Sequence, residues 1–215
     1  MRTRPMWLVA ALLLLLPGCF RSAKAPGPGE RYVLEYAPPI AAGTTGSAIP
    51  DTLRIGRFSA AESLRTTQMV YRPAPFRKET DYYNRWIVPP ESLVDGFLLR
   101  DFRQAGAFAA VASDDDRQAA RFLLLGDLEA FEEVDGSAGR VAALAATITL
   151  LDLSKREIPE RLLFQKTYRF EEPLGEEGPR GLAAAMSRAM SRFSARCIAD
   201  ATEAAQCRAE APPIR

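Results

Sequence analysis

Two long strand-like runs, 122–134 and 139–153, stand on either side of Asp135-Gly136, and this arrangement restricts the fold more than any other feature. Asp-Gly between apolar segments is a hairpin signal, because both residues tolerate the positive φ that a tight turn demands. Residues 161–170 place Leu162, Phe164, Tyr168 and Phe170 on one face and predict a further strand. Upstream, strands are predicted over 31–37, over 51–58 with Leu53, Ile55 and Arg57 sharing a face, over 68–72, over 80–88 with three aromatics, and briefly over 108–111. Pro73-Ala74-Pro75 breaks the third of these, and 73–79 read as a hairpin connection.

Pro89-Pro90 ends the fourth strand, and proline suits a first helical turn. Leu93, Val94, Phe97, Leu98, Phe102 and Ala105 then recur at helical spacing until Gly106, predicting a helix over 91–105. A second helix is predicted over 179–201, where Leu182, Met186, Met190, Phe193 and Cys197 form one stripe. That stripe reads as a core face or as a seam for a partner helix. Residues 203–215, with Pro212-Pro213, read as a flexible tail. Strands joined by hairpin turns, without regular βαβ alternation, predict a single α+β domain: a mostly antiparallel sheet with two amphipathic helices packed on one face.

The N-terminus carries two arginines ahead of an apolar run, Trp7 to Leu16. A lasting membrane span needs roughly 20 apolar residues, so this run reads as a secretory signal over residues 1–18 and is set aside from the fold. Leu16-Pro17-Gly18-Cys19 closes it and resembles the bacterial lipobox, which implies cleavage before Cys19 and acylation of its thiol. Several acyl chains on one residue give a persistent anchor. Phe20 follows, and by resemblance to the sorting rule of enteric bacteria this favours the outer membrane. Residues 19–30 are then the lipidated cysteine and a Pro/Gly-rich flexible tether, leading into a domain over 31–202.

The chain contains no histidine. That excludes Ser-His-Asp and Cys-His catalysis and a histidine base. Ser154-Lys155 sits in a polar turn and reads as solvated surface. Asp114-Asp115-Asp116 lacks calcium-loop spacing and reads as a solvated turn. No catalytic, metal or cofactor site is expected, and the chain reads as a non-enzyme. The formal net charge of +1 gives no electrostatic footprint for nucleic acid. Cys197 and Cys207 remain after Cys19. An oxidising compartment permits a disulfide, but a continuous helix from 197 to 207 would hold their Cα atoms about 15 Å apart, beyond the roughly 7 Å a bridge spans. Bridge and separate thiols both stay open.

Tyr71-Arg72, Asp81-Tyr82-Tyr83, Asn84-Arg85-Trp86, Pro89-Pro90 and the leucine-bearing segment from Leu93 to Phe102 follow one another in an ordered pattern. With the lipobox, the Tyr32–Leu34 opening, a strand ending Leu151-Asp152 and an alanine-rich last helix, this resembles the auxiliary lipoproteins of ABC-type transport systems, including the PqiC-type lipoproteins that accompany MCE proteins. The long 38–50 loop and the 73–80 insert depart from the pattern. The resemblance implies an α+β domain on the outer membrane, facing the periplasm. It implies a role in helping an ABC or MCE apparatus move phospholipid or other hydrophobic molecules, with transporter subunits as partners and a homo-oligomeric ring as one assembly. The competing role is a structural or assembly lipoprotein of an envelope complex without transport. Tyr71, Arg72, Tyr83, Arg85 and Trp86 are the candidate partner surface, being residue types enriched at binding hot spots. The structural alternative puts alternate members beneath the helices. Trp86 beside the prolines then packs in the core, and Arg72 and Arg85 face solvent.

Overall fold

The computed structural model describes residues 29–39, 48–116, 118–137 and 139–210. Its spine is a hairpin at the expected place in the chain, but its turn falls after Asp135-Gly136: those two residues pair within the ladder, and the positive φ, 119°, is carried by Gly139. β7 (Phe122–Gly136) and β8 (Gly139–Asp152) pair antiparallel from Phe122↔Asp152 to Gly136↔Gly139. β9 (Leu162–Pro173) extends the sheet antiparallel to β8. Along the opposite edge of β7, three short strands lie end to end, all parallel to it. They are β2 (Ile49–Ile55) at Leu53↔Phe122, β3 (Ser59–Ala60) at Ser59↔Asp127, and β4 (Gln68–Ala74) at Tyr71↔Glu133. β5 (Arg77–Trp86) returns antiparallel to β4, β1 (Arg31–Tyr32) runs parallel to β5 at the sheet edge, and β6 (Phe108–Ser113) runs parallel to β2.

The sheet is therefore mixed, and the expectation of a mostly antiparallel one is corrected. Of eight strand pairings among the described residues, five are parallel and three antiparallel. Antiparallel neighbours announce themselves through short turns. The parallel ones join segments far apart in sequence, which no local turn motif marks. The strand expected over 31–37 is likewise confined to Arg31–Tyr32, with 33–39 outside any regular element.

A bulge between Leu128 and Ala130 changes the phase of β7. Phe122, Leu124 and Leu128 point inward before it, and Phe131 does so after it, all nearly inaccessible. Gly126 continues the inward row, and the ring of Phe58 lies so close that a Cβ there would sit 2.1 Å from it. Glycine at that position is what lets the ring close over the strand.

Two helices cover this face. α1 (Pro90–Ala105) starts behind Pro89 and stops at Gly106, whose φ of 64° is the left-handed conformation that ends helices. It buries Leu93, Val94, Leu98 and Phe102 in one core with Leu182, Met186, Met190 and Phe193 of α2 (Pro179–Glu210). The second helix runs well past residue 202, where the sequence reading begins a tail. Its apolar stripe continues as Cys197, Ala201 and Ala205, each fully buried, and alanine both packs closely and favours the helix. Arg208 ties down the end by donating to the Glu160 carbonyl at 2.7 Å. Cys197 and Cys207 are both free thiols in this single helix, one buried and one exposed. The bridge left open by the sequence is not formed, because the helix never turns back between them.

Candidate functional site

β5 does not track β4 evenly. Val70 pairs with Thr80 and Gln68 with Arg85, so two steps on one strand match five on the other. Asp81 organises the excess. Its Oδ1 accepts the backbone N–H of Tyr83 at 2.8 Å and of Asn84 at 2.9 Å, and its Oδ2 accepts the Asn84 side-chain amide at 2.8 Å and the Tyr71 hydroxyl at 3.0 Å. This is the local hydrogen bonding by which aspartate builds turns in place of ladder. Burial alone would push the Asp81 carboxyl up, but the bonds from Asn84, Tyr83 and Tyr71 outweigh it and hold the group below its ordinary value. The same geometry throws two rings out of the sheet. Tyr82 is 72% exposed and Tyr83 42%, and they meet edge-on with centroids 5.0 Å apart.

Beyond the bulge β5 receives β1. Tyr32 stands beside Trp86 and Arg31 beside Arg85, and strand alternation sends these pairs to opposite faces. Trp86 goes inward, buried against Phe131 with centroids 5.2 Å apart. Arg31 and Arg85 go outward. The Arg85 N–H donates to the Glu30 carbonyl at 3.0 Å and the Ile87 N–H to that of Tyr32 at 2.9 Å, which brings exposed Val33 alongside exposed Ile87. A shallow depression of about 370 Å³ is lined by Gly29, Arg31, Tyr82, Tyr83 and Arg85.

From this edge the chain crosses onto the helices. The Glu35 N–H donates to Ser187 Oγ at 3.0 Å, and the Tyr36 hydroxyl donates to buried Asp101 at 2.7 Å. Tyr36 stacks on Phe97 at 5.2 Å, with the Arg100 guanidinium 4.5 Å from both rings. Between this segment and α2 lies an open groove of about 1150 Å³, whose walls include Tyr32, Val33, Arg180, Arg188 and Arg192. Glu172 holds Arg192 at 2.6 Å and Arg188 at 3.6 Å.

The sequence-derived candidates separate. Tyr83 and Arg85 come together on the exposed edge. Tyr71 is half-buried, with its hydroxyl on Asp81. Arg72 lies on the outer face, 3.2 Å from Glu132, a buried carboxylate that Lys78 also reaches at 2.7 Å. Trp86 belongs to the core and drops out of any surface set. Arg31, Val33 and Ile87 join the edge unannounced, because only the pairing of β1 with β5 places them there. Cys19 lies outside the described residues. The aspartate run is occupied by its own neighbours: Arg57 reaches Asp114 and Asp115, and Asp116 accepts from the Ser113 N–H at 2.7 Å and its hydroxyl at 2.9 Å. Ser154 caps Asp152 through its hydroxyl at 2.6 Å. Among the described residues no cluster of three or more acidic or cysteine side chains is placed to hold a metal ion.

A family model described as the ABC-type transport auxiliary lipoprotein component matches residues 32–198. No curated protein matches the chain in sequence. In structure it is similar to protein XCC0632 from Xanthomonas campestris, with a TM-score of 0.75, 18% identity, and coverage of 85% of this chain and 99% of that one. It is also similar to an uncharacterized protein, with a TM-score of 0.63, 11% identity, and coverage of 80% and 98%. At these identities the likeness is one of fold.

Proposed function

The chain belongs to the family of ABC-type transport auxiliary lipoprotein components, and we propose that it serves an ABC/MCE-type system by helping phospholipid or other hydrophobic molecules pass between the inner and outer membranes. In this reading acyl chains on Cys19 hold it on the outer membrane with its domain in the periplasm, and it acts by binding transporter subunits. The observation that carries the reading is the extent of the family match, which takes in the sheet from Tyr32 to β9 and α2 as far as Ile198.

The chemistry of the domain supports a binding role. Among the described residues three of the buried carboxylates are engaged by neighbours, Asp101 by Tyr36 and Arg100, Glu132 by Arg72 and Lys78, and Asp152 by Ser154 and Arg121, and the fourth, Glu133, faces Arg140 at 3.6 Å. Groups neutralised in this way build structure. For a protein partner the reading offers the β4–β5 hairpin, with Arg72 on the outer face of the sheet and fully exposed Phe76 at its tip. Phe76 has a φ of 65°, which the second position of a proline-led two-residue turn takes, and the turn holds its ring fully in solvent where a partner can cover it.

The test is transfer of labelled phospholipid between inner and outer membranes in cells lacking the protein. Slowed transfer, restored by the wild-type chain and not by Phe76→Ser, supports the transport role. A weakened envelope with unchanged transfer assigns the chain to scaffolding instead.

A further inference from the structure

Arg31 and Arg85 stand side by side in register on β1 and β5, and alternation turns both away from the buried side on which Trp86 lies, Arg31 also bordering the groove against α2. Like charges placed so repel, and among the described residues neither guanidinium makes an ion pair. The one side-chain hydrogen bond of Arg85 there is a 3.5 Å contact with the Tyr82 carbonyl. Glu30 accepts the Tyr32 hydroxyl, and Asp81 accepts Tyr71, Tyr83 and Asn84, so neither carboxylate is spent on the two guanidiniums. An anionic group lying over both arginines would remove the repulsion.

Apolar groups frame the same spot. Tyr82, Tyr83, Val33 and Ile87 are all exposed at 42% or more. Aromatic rings beside arginines, with aliphatic side chains around them, form the composition that settles at a membrane interface. There the rings lie at headgroup depth and the guanidiniums reach phosphates. The path of the chain selects the occupant. Gly29, packed against the backbone of Tyr83, is ten residues from Cys19, and ten residues span at most about 35 Å. This edge is where the domain meets the segment that leads back to Cys19.

Resting on the reading of Cys19 as the acylated anchor, we propose that the β1–β5 edge is a membrane-docking face for anionic lipid. Arg31 and Arg85 take lipid phosphates, and Tyr82, Tyr83, Val33 and Ile87 seat in the interface. Tyr83 and Arg85, expected from the sequence to meet a protein, meet the bilayer instead. Docking would fix the orientation of the domain on the bilayer.

The full lipidated protein, placed on vesicles of two parts phosphatidylcholine to one part phosphatidylglycerol, tests this by hydroxyl-radical footprinting. Ile158, 78% exposed on the short helix Ile158–Arg161 before β9 at the opposite edge, serves as internal reference. Oxidation of Tyr82 and Tyr83 relative to Ile158 is expected to fall about fivefold from its value in detergent. Arg31→Glu/Arg85→Glu restores it while the protein still floats with the vesicles. Unchanged tyrosine oxidation in protein that floats overturns the docking face and leaves the anchor standing. Failure to float overturns the anchor and the docking face with it. Equal protection in detergent at raised protein concentration assigns the edge to a second copy and overturns the lipid proposal.

Discussion

The Asp81 carboxylate accepts the backbone N–H of Tyr83 at 2.8 Å, and the turn closed by that bond determines where two tyrosines leave the sheet. Asp81→Ala removes an acceptor used by Tyr71, Tyr83 and Asn84. We expect a loss of about 1–3 kcal/mol in denaturant unfolding and changed near-ultraviolet dichroism from Tyr82 and Tyr83. Asp81→Asn keeps an acceptor oxygen and should cost less. Equal costs for the two variants would mean that the bonds do not hold the bulge.

Gly126 lies under Phe58 with no room for a methyl group. Gly126→Ala should destabilise the fold by about 1–3 kcal/mol through overpacking. Gly126→Ala/Phe58→Leu should recover part of the loss, since a smaller side chain makes space. Additive costs in the double variant would refute the contact.

Cys197 and Cys207 should behave as independent thiols. Burial pushes the Cys197 thiol well up, while Cys207 is exposed. A thiol-reactive reagent at neutral pH should label Cys207 in the native protein and Cys197 only after unfolding. If neither reacts until a reductant is added, the two are bridged and the continuous helix is wrong.

Stability should fall in acid. Burial works to raise Asp81, Asp152 and Asp200, but hydrogen bonds and cations hold all three below their ordinary values: Asn84, Tyr83 and Tyr71 on Asp81, Ser154 and Arg121 on Asp152, and Lys166, Tyr168 and Arg196 on Asp200. A carboxyl lowered in the fold contributes stability above its unfolded value of about 4, and that contribution disappears as pH falls through the folded value. Burial raises Asp95 and Glu133, and these act with the opposite sign: their contribution is present in acid and lost as pH rises through their folded values. Unfolding midpoints measured from pH 7 downward should drop below about pH 4, and Asp152→Asn should make that limb shallower. An unchanged slope in the variant would remove Asp152 from the account.

Much of this architecture is legible in the residues. Pro89-Pro90 and Gly106 mark both ends of α1, and the stripe from Leu182 to Cys197 marks α2, because each is a local signal with a local cause; Asp135-Gly136 marks the hairpin but not its turn, since both residues pair in the ladder and Gly139 takes the positive φ. What the residues conceal is non-local. Nothing near Leu53 announces Phe122 as its neighbour, and nothing near Arg31 announces Arg85. The end of α2 was hidden for another reason. Ala201 and Ala205 continue the buried stripe, but alanine carries too little apolar weight for periodicity to register. In the candidate site, aromatic and arginine content singles out β5 from the sequence. The Asp81 turn then decides that Tyr82 and Tyr83 emerge, and the pairing with β1 decides that Trp86 does not.

Chemistry at the N-terminus is checked on the protein extracted from membranes. The mature chain should begin at Cys19, and its first peptide should carry the mass of attached acyl groups. An unmodified Cys19 would remove the anchor on which the docking edge depends.

Affinity purification of the lipidated protein from detergent-solubilised envelopes, read by mass spectrometry, bears most directly on the role in transport. We expect ABC or MCE components among the enriched proteins, and their loss with the Phe76→Ser variant. Enrichment of envelope-scaffold proteins alone, unaffected by that variant, would contradict an accessory role in transport.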